Sequence, residues 1–121
     1  MRPEHRFSKS LQQALEGQGC LVLPIETGPT NRGVPDLYIA KHGRSLWCEL
    51  KVVSPKQMKE PRTAIQIKRQ AQIVSHGIGV INAQDVCDSH NINVEYKLIE
   101  ANSVFKTVYD LARAITERLE S

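Results

Sequence analysis

The segment from Gly33 to Lys51 reads GVPDLYIAKHGRSLWCELK and covers two runs that are typical of β-strands, the second of which continues to Val53. Pro35–Ala40 and Ser45–Val53 are rich in apolar and aromatic residues, and the sequence Lys-His-Gly-Arg at 41–44 is typical of a turn that joins two strands. The segment therefore predicts an antiparallel hairpin. Pairing around this turn places Asp36, near the start of the first strand, opposite the later part of the second strand.

Acidic and basic side chains converge at the open end of this hairpin. Side chains alternate between the two faces of a strand, so Glu49 and Lys51 share a face close to Asp36. Paired carboxylates suit Mg²⁺ or Mn²⁺, and the main-chain carbonyl of Leu50 would complete the protein's share of such a site. The lysine would position or deprotonate water, or balance charge on a phosphoryl transition state. The alternative is that Asp36 caps a turn while Glu49 and Lys51 are ordinary solvent-facing residues of an edge strand.

Helical and strand periodicities divide the rest of the chain into further elements. In chain order we predict a helix over 3–18, a strand over 20–26, a turn-rich loop over 27–33, a helix over 63–76, a strand over 77–81 and an edge strand over 93–100. A single helical turn is predicted over 85–89, and an apolar stripe from Val104 predicts a C-terminal amphipathic helix capped by Asn102 or Ser103. This order predicts an α/β fold in one domain, residues 1–121, with a central mixed sheet flanked by helices.

Composition and cysteine content favour a folded protein of the cytoplasm. Hydrophobic residues make up 40% of the chain and charged residues 24%, which is ordinary for a globular domain. No apolar run approaches the ~20 residues of a membrane span and none follows the N-terminal residues, so neither membrane insertion nor export is expected. Cys20, Cys48 and Cys87 are an odd number at wide spacing, which favours reduced thiols in the core.

Positive charge is concentrated in the middle of the chain. The net charge is only +3, but residues 41–70 hold eight lysines and arginines against two glutamates, a local net charge of +6. Such a patch is expected of a protein that binds a phosphate backbone, although a solvated lysine-rich loop would give the same pattern. No motif for reading base edges is present, so sequence specificity is not predicted.

Taken together, these motifs resemble the PD-(D/E)XK nuclease superfamily, and within it the small stand-alone VRR-NUC and phage Holliday-junction-resolvase-like endonucleases. The shared pattern is a glutamate in the first helix, Gly-X-Pro-Asp after a loop, Glu-X-Lys on the next strand and a glutamine on the following helix. These places are taken by Glu4, residues 33–36, residues 49–51 and Gln66. The resemblance covers residues 4–83, and residues 84–121 lie outside it.

The resemblance implies a restriction-endonuclease-like fold with an extra C-terminal helix, and it implies roles for the central residues. Asp36 and Glu49 correspond to the metal-binding carboxylates, and Lys51 corresponds to the catalytic lysine. The implied cofactor is Mg²⁺ or Mn²⁺, with no small-molecule cofactor.

The resemblance also implies two auxiliary residues. Glu4 corresponds to an additional carboxylate, and its alternative role is that of a first-turn acid favourable to the helix dipole. Gln66 would orient the substrate or a water on the metal. Other candidates for these two positions are Glu16, Glu26, Gln57 and Gln70.

The activity implied by the resemblance is hydrolysis of DNA phosphodiester bonds by a metal-dependent endonuclease that selects branched DNA, such as Holliday junctions or flaps. A homodimer is expected, because two cuts across a branched substrate require two active sites. The expected location is the cytoplasm, or the host cytoplasm for a phage protein, with no membrane partner. The basic residues expected to hold flanking phosphates are Arg32, Lys56, Lys59, Arg62, Lys68 and Arg69.

Three other functions are open at this stage: a nuclease that nicks or cuts linear duplex DNA, a DNA-binding module that keeps the fold without catalysis, and an RNA-binding domain. The complete set of Asp36, Glu49 and Lys51 speaks against the silent module. The aromatic content of 5% speaks against an RNA reader that stacks bases. A duplex nuclease would cut linear DNA as readily as branches, so a panel of substrates separates the two nuclease hypotheses.

Overall fold

The computed structural model describes residues 2–26, 28–29, 32–57 and 59–121. Within these ranges the chain forms three α-helices, six strands and a short 3₁₀ helix. In chain order they are α1 (Pro3–Gly17), β1 (Leu21–Pro24), β2 (Leu37–Lys41), β3 (Arg44–Val53), α2 (Ala64–Ser75), β4 (Gly79–Cys87), β5 (Asn93–Leu98), the 3₁₀ helix (Ile99–Ala101), β6 (Ser103–Phe105) and α3 (Val108–Glu120). None of the helices in the described ranges combines the length and apolar character needed to cross a membrane. Of the predicted loop over 27–33, residues 27, 30 and 31 lie outside the described ranges.

The strands of the described ranges form one sheet in the order β1-β2-β3-β4-β5-β6. The predicted hairpin is confirmed, since β2 and β3 pair antiparallel with Leu37 opposite Cys48. β3 and β4 are parallel, and α2 forms the crossover between them. All other neighbouring strands are antiparallel, which confirms an α/β fold with a central mixed sheet.

Two helices cover one face of the sheet. The apolar stripes of α1 and α3 face each other and the strands, and they bury Phe7, Leu11, Leu15, Leu111 and Ile115. The residues of β3 that join this core are Leu46, Cys48 and Leu50. Because side chains alternate along a strand, Glu49 points to the opposite face, where α2 lies. The sheet therefore separates an apolar core from a face that carries polar side chains.

β4 is longer than the sequence predicted. It extends from Gly79 to Cys87, so the short strand over 77–81 is incomplete and the helical turn over 85–89 is wrong. Asn82 and Gln84 interrupt the apolar pattern of this strand, which hides its continuation. They face the α2 side of the sheet, beside β3, while their neighbours along the strand face the apolar core.

The C-terminal segment differs most from the prediction. β5 is not an edge strand, because β6 pairs with it on its outer side. Val104 belongs to β6, and α3 begins only at Val108 with Thr107 as its N-cap. The predicted caps Asn102 and Ser103 are wrong, because Asn102 adopts a left-handed conformation with φ of 49° that ends the 3₁₀ helix and returns the chain to the sheet. The extra C-terminal helix itself is present.

Candidate active site

An open groove of about 680 Å³ lies where α1, the β2–β3 hairpin and α2 meet. It is lined by every residue that the sequence analysis placed in a catalytic role, although these residues come from four separate segments of the chain. They are Glu4, Asp36, Glu49, Lys51 and Gln66. The structure therefore brings the whole set together, with Leu50 beside it.

Asp36 is held at the groove by the start of the hairpin. Its Oδ2 accepts a hydrogen bond of 2.8 Å from the amide of Leu50, and its carbonyl accepts one of 2.8 Å from the amide of Ile25. The first bond reaches β3 one position beyond Glu49, so the backbone sets the separation of the two carboxylates. The N–H and C=O of one strand residue project to the same side. The carbonyl of Leu50 is therefore directed to the edge where Asp36 lies.

Glu49 is a buried carboxylate with an incomplete set of partners. Only 1% of the residue is exposed. Its Oε2 accepts a hydrogen bond of 2.9 Å from Nε2 of Gln66 and lies 3.6 Å from Nζ of Lys51. Its Oε1 is buried and has no hydrogen-bond partner among the described residues. A buried ionised carboxylate is costly without compensation, so this oxygen is a natural ligand for a cation.

The pKa values of Asp36 and Glu49 are both raised above their ordinary values. Burial raises the pKa of Glu49 to about 7, and the negative charge of Asp36 adds to the rise while Lys51 opposes it. Burial also raises the pKa of Asp36, against the lowering effects of the Leu50 amide and Lys51. Two adjacent carboxyl groups resist ionising together. A bound divalent cation would relieve this repulsion.

The donor set fits a hard divalent cation. In the described part of the chain no group of three or more His, Cys, Asp or Glu side chains converges as a metal site. Mg²⁺ usually keeps several waters and takes only one or two protein carboxylates, so a larger cluster is not required. Asp36, Glu49 and the carbonyl of Leu50 could therefore hold Mg²⁺ or Mn²⁺.

Lys51 and Glu4 lie at the rim of the groove. The side chain of Lys51 is 23% exposed, so its ammonium group is accessible from the groove as well as close to the carboxylate of Glu49. Glu4 is an exposed residue in the first turn of α1. Glu16 lies in the last turn of this helix and Glu26 lies beyond β1, and the groove is lined by neither of these alternatives.

Gln66 is held at the start of α2 by hydrogen bonds of both its main chain and its side chain to Thr63. The hydroxyl of Thr63 accepts a hydrogen bond of 3.2 Å from the amide of Gln66, and Oε1 of Gln66 accepts one of 2.9 Å from the amide of Thr63. This capping box directs Nε2 of Gln66 to Glu49. The spacing Thr-X-X-Gln is a recognisable sign of a capping box, and it could have identified this glutamine from the sequence. The alternatives Gln57 and Gln70 donate to other partners.

All six basic residues expected to contact DNA are at least partly solvent-accessible, and five of them form two groups. The first group lines a notch of about 280 Å³ on the flank of α2 and consists of Arg32, Lys68 and Arg69. The second group, Lys56 and Lys59, is exposed on the loop between β3 and α2.

Arg62 differs from the other basic residues because its side chain is already engaged. Its Nε and Nη2 each donate a hydrogen bond of 2.9 Å to the carboxylate of Glu60. Its Nη1 donates one of 2.8 Å to Oε1 of Gln70. Contact with a phosphate would therefore require Arg62 to give up these partners.

Gly33 allows the loop before β2 to approach α2. Its φ is +81°, and an added Cβ would lie 2.5 Å from Cγ2 and 2.8 Å from the carbonyl oxygen of Ile65. Any side chain at this position would therefore displace either the loop or the helix. The approach places Arg32, the preceding residue, beside Lys68 and Arg69 in the notch.

The strand order and the flanking helices match a restriction-endonuclease-like fold. Among solved structures, the chain is similar to a VRR_NUC domain, with a TM-score of 0.55 and 23% identity over 68% of this chain and 84% of that chain. It is also similar to Archaeoglobus fulgidus Hjc, a Holliday junction resolvase from an archaeal hyperthermophile, with a TM-score of 0.55 and 16% identity over 88% of this chain and 92% of that chain. No protein-family model matches the sequence, and no curated protein matches it. The fold implied by the sequence resemblance is confirmed.

Proposed function

We propose that the protein is a divalent-metal-dependent endonuclease that hydrolyses phosphodiester bonds of DNA. The observation that carries the proposal is the buried carboxylate of Glu49, whose Oε1 has no partner among the described residues and which lies with Asp36 and Lys51 in an open groove. An uncompensated buried carboxylate destabilises a fold. Its presence in a cleft, with a raised pKa and charged neighbours, is therefore typical of a functional site.

Each residue of the groove has its own proposed role. Asp36 and Glu49, with the carbonyl of Leu50, would hold Mg²⁺ or Mn²⁺. When bound, the cation would supply Lewis-acid polarisation of the scissile phosphate. Lys51 places its ammonium group against the phosphate and stabilises the negative charge that grows in the transition state. Gln66 holds the Oε2 side of Glu49, so that the unpartnered Oε1 is left for the cation.

Glu4 is proposed to act from the rim of the groove. It lies in the first turn of α1 and lines the same groove as Asp36 and Glu49. A carboxylate there is placed to accept a proton or a hydrogen bond from water that enters the groove. Glu4 is exposed whereas Glu49 is buried, so Glu4 contributes little to folding. Its substitution should therefore lower activity and leave stability unchanged.

The basic residues are proposed to hold the DNA backbone beside the groove. In the notch, Arg32, Lys68 and Arg69 form no ion pair within the described residues, so three positive charges converge without compensation. Uncompensated cations attract phosphate and release counterions when it binds. Lys56 and Lys59, exposed on the loop between β3 and α2, supply a second group of cations, whereas Arg62 is engaged with Glu60.

We further propose branched DNA as the substrate and a homodimer as the working form. The similar structure from Archaeoglobus fulgidus is a Holliday junction resolvase, which supports a structure-selective activity. The described residues form one groove that contains Asp36, Glu49 and Lys51 together, and two cuts across a junction require two such grooves. The lack of a base-reading motif favours recognition of DNA shape over sequence.

The proposal is tested by cleavage of labelled Holliday junction, flap, fork, single-stranded and linear duplex DNA in Mg²⁺, Mn²⁺ or EDTA. Asp36→Asn removes a carboxylate charge with little change of shape, and Glu117→Gln removes an exposed charge on α3 as the matched control. We expect cation-dependent cutting that Asp36→Asn abolishes and Glu117→Gln retains. Cutting that survives in EDTA or in Asp36→Asn would contradict the proposal.

The substrate panel separates the remaining hypotheses. Preference for junctions or flaps supports the branched-DNA proposal, and equal cutting of linear duplex DNA replaces it with a nicking or restriction-like nuclease. Salt-sensitive binding without cutting would identify a catalytically silent DNA-binding module.

A further inference from the structure

Polar side chains, more than apolar ones, attach α2 to the sheet. Gln70 is the buried residue of this helix, whereas Ile65, Ile67 and Val74 are 42%, 40% and 55% exposed. Apolar packing tolerates small slides and rotations of a helix, but hydrogen bonds have a narrow range of distance and direction. The position of α2 is therefore set mainly by the partners of its glutamines.

Gln70 forms a reciprocal pair of amide hydrogen bonds with Asn82 of β4. Nε2 of Gln70 donates to Oδ1 of Asn82 at 3.0 Å, and Nδ2 of Asn82 donates to Oε1 of Gln70 at 3.1 Å. The two residues are only 5% and 9% exposed. Such a buried pair specifies one arrangement of helix and strand, because each amide has lost its water and depends on the other.

Both ends of the amide pair are held by charged residues. Nη1 of Arg62 donates a hydrogen bond of 2.8 Å to Oε1 of Gln70. At the other end, Oε2 of Glu100 accepts a hydrogen bond of 2.8 Å from Nδ2 of Asn82, and its Oε1 accepts one from the amide of Asn82. We call Arg62, Gln70, Asn82 and Glu100 the amide clamp. Glu100 lies in the segment that the sequence resemblance does not cover.

The amide clamp adjoins the candidate metal site on two elements. Gln70 follows Gln66 by one helical turn, so the two side chains share the face of α2 that meets the sheet. Asn82 is the register partner of Glu49 in the parallel pairing of β3 and β4. The clamp therefore ties the helix that carries Gln66 to the strand beside Glu49.

We propose that the residues of the amide clamp are positioning residues, which hold Nε2 of Gln66 at hydrogen-bond distance from Glu49 and so keep Oε1 of Glu49 directed into the groove. Among the described residues, the clamp forms no side-chain hydrogen bond with the proposed metal ligands Asp36, Glu49 and Leu50, and it acts through Gln66. The catalytic consequence rests on the proposed nuclease function, whereas the structural consequence does not.

The first test is a double-mutant cycle. Gln70→Met keeps the size of the side chain and removes its hydrogen bonds, and it is made in the parent protein and in Gln66→Ala. Residues that orient a metal ligand typically change activity by about 10–100-fold. We expect Gln70→Met to lower kcat by at least about tenfold in the parent, with the Kd for DNA in EDTA unchanged, and to have little further effect in Gln66→Ala. Gln13→Met, an exposed glutamine on α1, is the matched control.

An equal loss of kcat in both backgrounds would overturn the proposal, because the clamp would then act independently of Gln66. An unchanged kcat in Gln70→Met would overturn it as well. Exchange of the pair, Gln70→Asn with Asn82→Gln, restores the reciprocal amide bonds. The exchanged protein is expected to have a higher kcat than either single variant.

The second test does not depend on cleavage. The ¹⁵N signal of the side-chain amide of Gln66 is measured without metal or DNA in the parent, in Gln70→Met and in Gln13→Met. We expect Gln70→Met to move this signal towards that of a solvent-exposed glutamine, while thermal unfolding shows that the protein is folded. An unmoved signal in folded Gln70→Met overturns the positioning role. If the parent cuts no DNA, the nuclease proposal fails, but this measurement still decides the role of the clamp.

Discussion

Replacement of Glu49 by glutamine is expected to stabilise the metal-free protein at high pH. The substitution keeps the shape of the side chain and removes the negative charge that is buried beside Asp36. Glutamine keeps an oxygen that can accept the hydrogen bond from Gln66. The expected gain is unusual, because most changes of a buried, hydrogen-bonded residue lower stability.

The magnitude of this effect follows from the raised pKa of Glu49, which is about 7 in the folded protein against an ordinary 4.5. The folded state therefore binds the proton more tightly than the unfolded state, and stability falls as pH rises through the window between these two values. With about 1.4 kcal/mol for each pKa unit, ionised Glu49 lowers the free energy of unfolding by about 3 kcal/mol above pH 8. At pH 5 the same calculation gives a lowering of the free energy of unfolding of only about 1 kcal/mol or less.

Urea unfolding in EDTA at pH 5 and pH 8 measures the effect. At pH 8, the free energy of unfolding of Glu49→Gln should exceed that of the parent by about 3 kcal/mol, which corresponds to roughly 10 °C in Tm. At pH 5 the difference should nearly vanish. Mg²⁺ should narrow the gap at pH 8, because it binds the parent better than the variant. Glu117→Gln, an exposed acid, should show neither change. A variant that is less stable at pH 8, or a difference that is equal at both pH values, would refute the argument that Glu49 is an uncompensated buried charge.

Three further predictions concern the surroundings of the site. Gly33→Ala should lower the free energy of unfolding by about 1–3 kcal/mol in urea titrations, because the added Cβ would overlap Ile65 at a positive φ. Lys68→Gln combined with Arg69→Gln should weaken DNA binding in EDTA and reduce the slope of log K against log salt by up to about two, measured by fluorescence anisotropy. Thr63→Ala should cost about 1 kcal/mol of stability and also lower kcat, because the capping box that orients Gln66 is lost.

Two of these predictions have a matched control variant. Arg118→Gln removes an exposed charge of α3, and a slope reduced as much as in the notch variant would contradict the phosphate-binding role of the notch. Thr107→Ala removes the N-cap of α3, and an equal loss of kcat would show that capping acts only through stability. For Gly33, unchanged stability of the alanine variant would contradict the close approach of loop and helix.

The hairpin and its three charged residues could be predicted from sequence because the relevant signals are local. Strand alternation and a four-residue turn place Asp36, Glu49 and Lys51 together without reference to the rest of the chain. The burial of Glu49 and its unpartnered oxygen could not be predicted in this way. They depend on α2, the helix that connects the parallel strands β3 and β4 and places Gln66 beside Glu49.

The contacts of the amide clamp could not be predicted from the sequence either, because they join residues that are far apart along the chain. Asn82 interrupts an apolar strand, which suggests that the strand ends there, and only the structure shows that its partner is Gln70. β5 runs antiparallel to β4, so Glu100, which follows β5 in the chain, lies beside Asn82 of β4. A contact between distant parts of the chain leaves no periodic pattern, so polar residues at such contacts resemble loop residues in the sequence.

The most direct test of the central claim is the single-turnover rate of cutting of a labelled four-way junction by the parent and by Glu49→Gln, each in Mg²⁺ and in EDTA. The parent should cut in Mg²⁺ and not in EDTA, and Glu49→Gln should cut at least about 100-fold more slowly in Mg²⁺ while it binds the junction equally well in EDTA. Comparable cutting by the two proteins in Mg²⁺, or cutting by the parent in EDTA, would contradict a cation site built on Glu49.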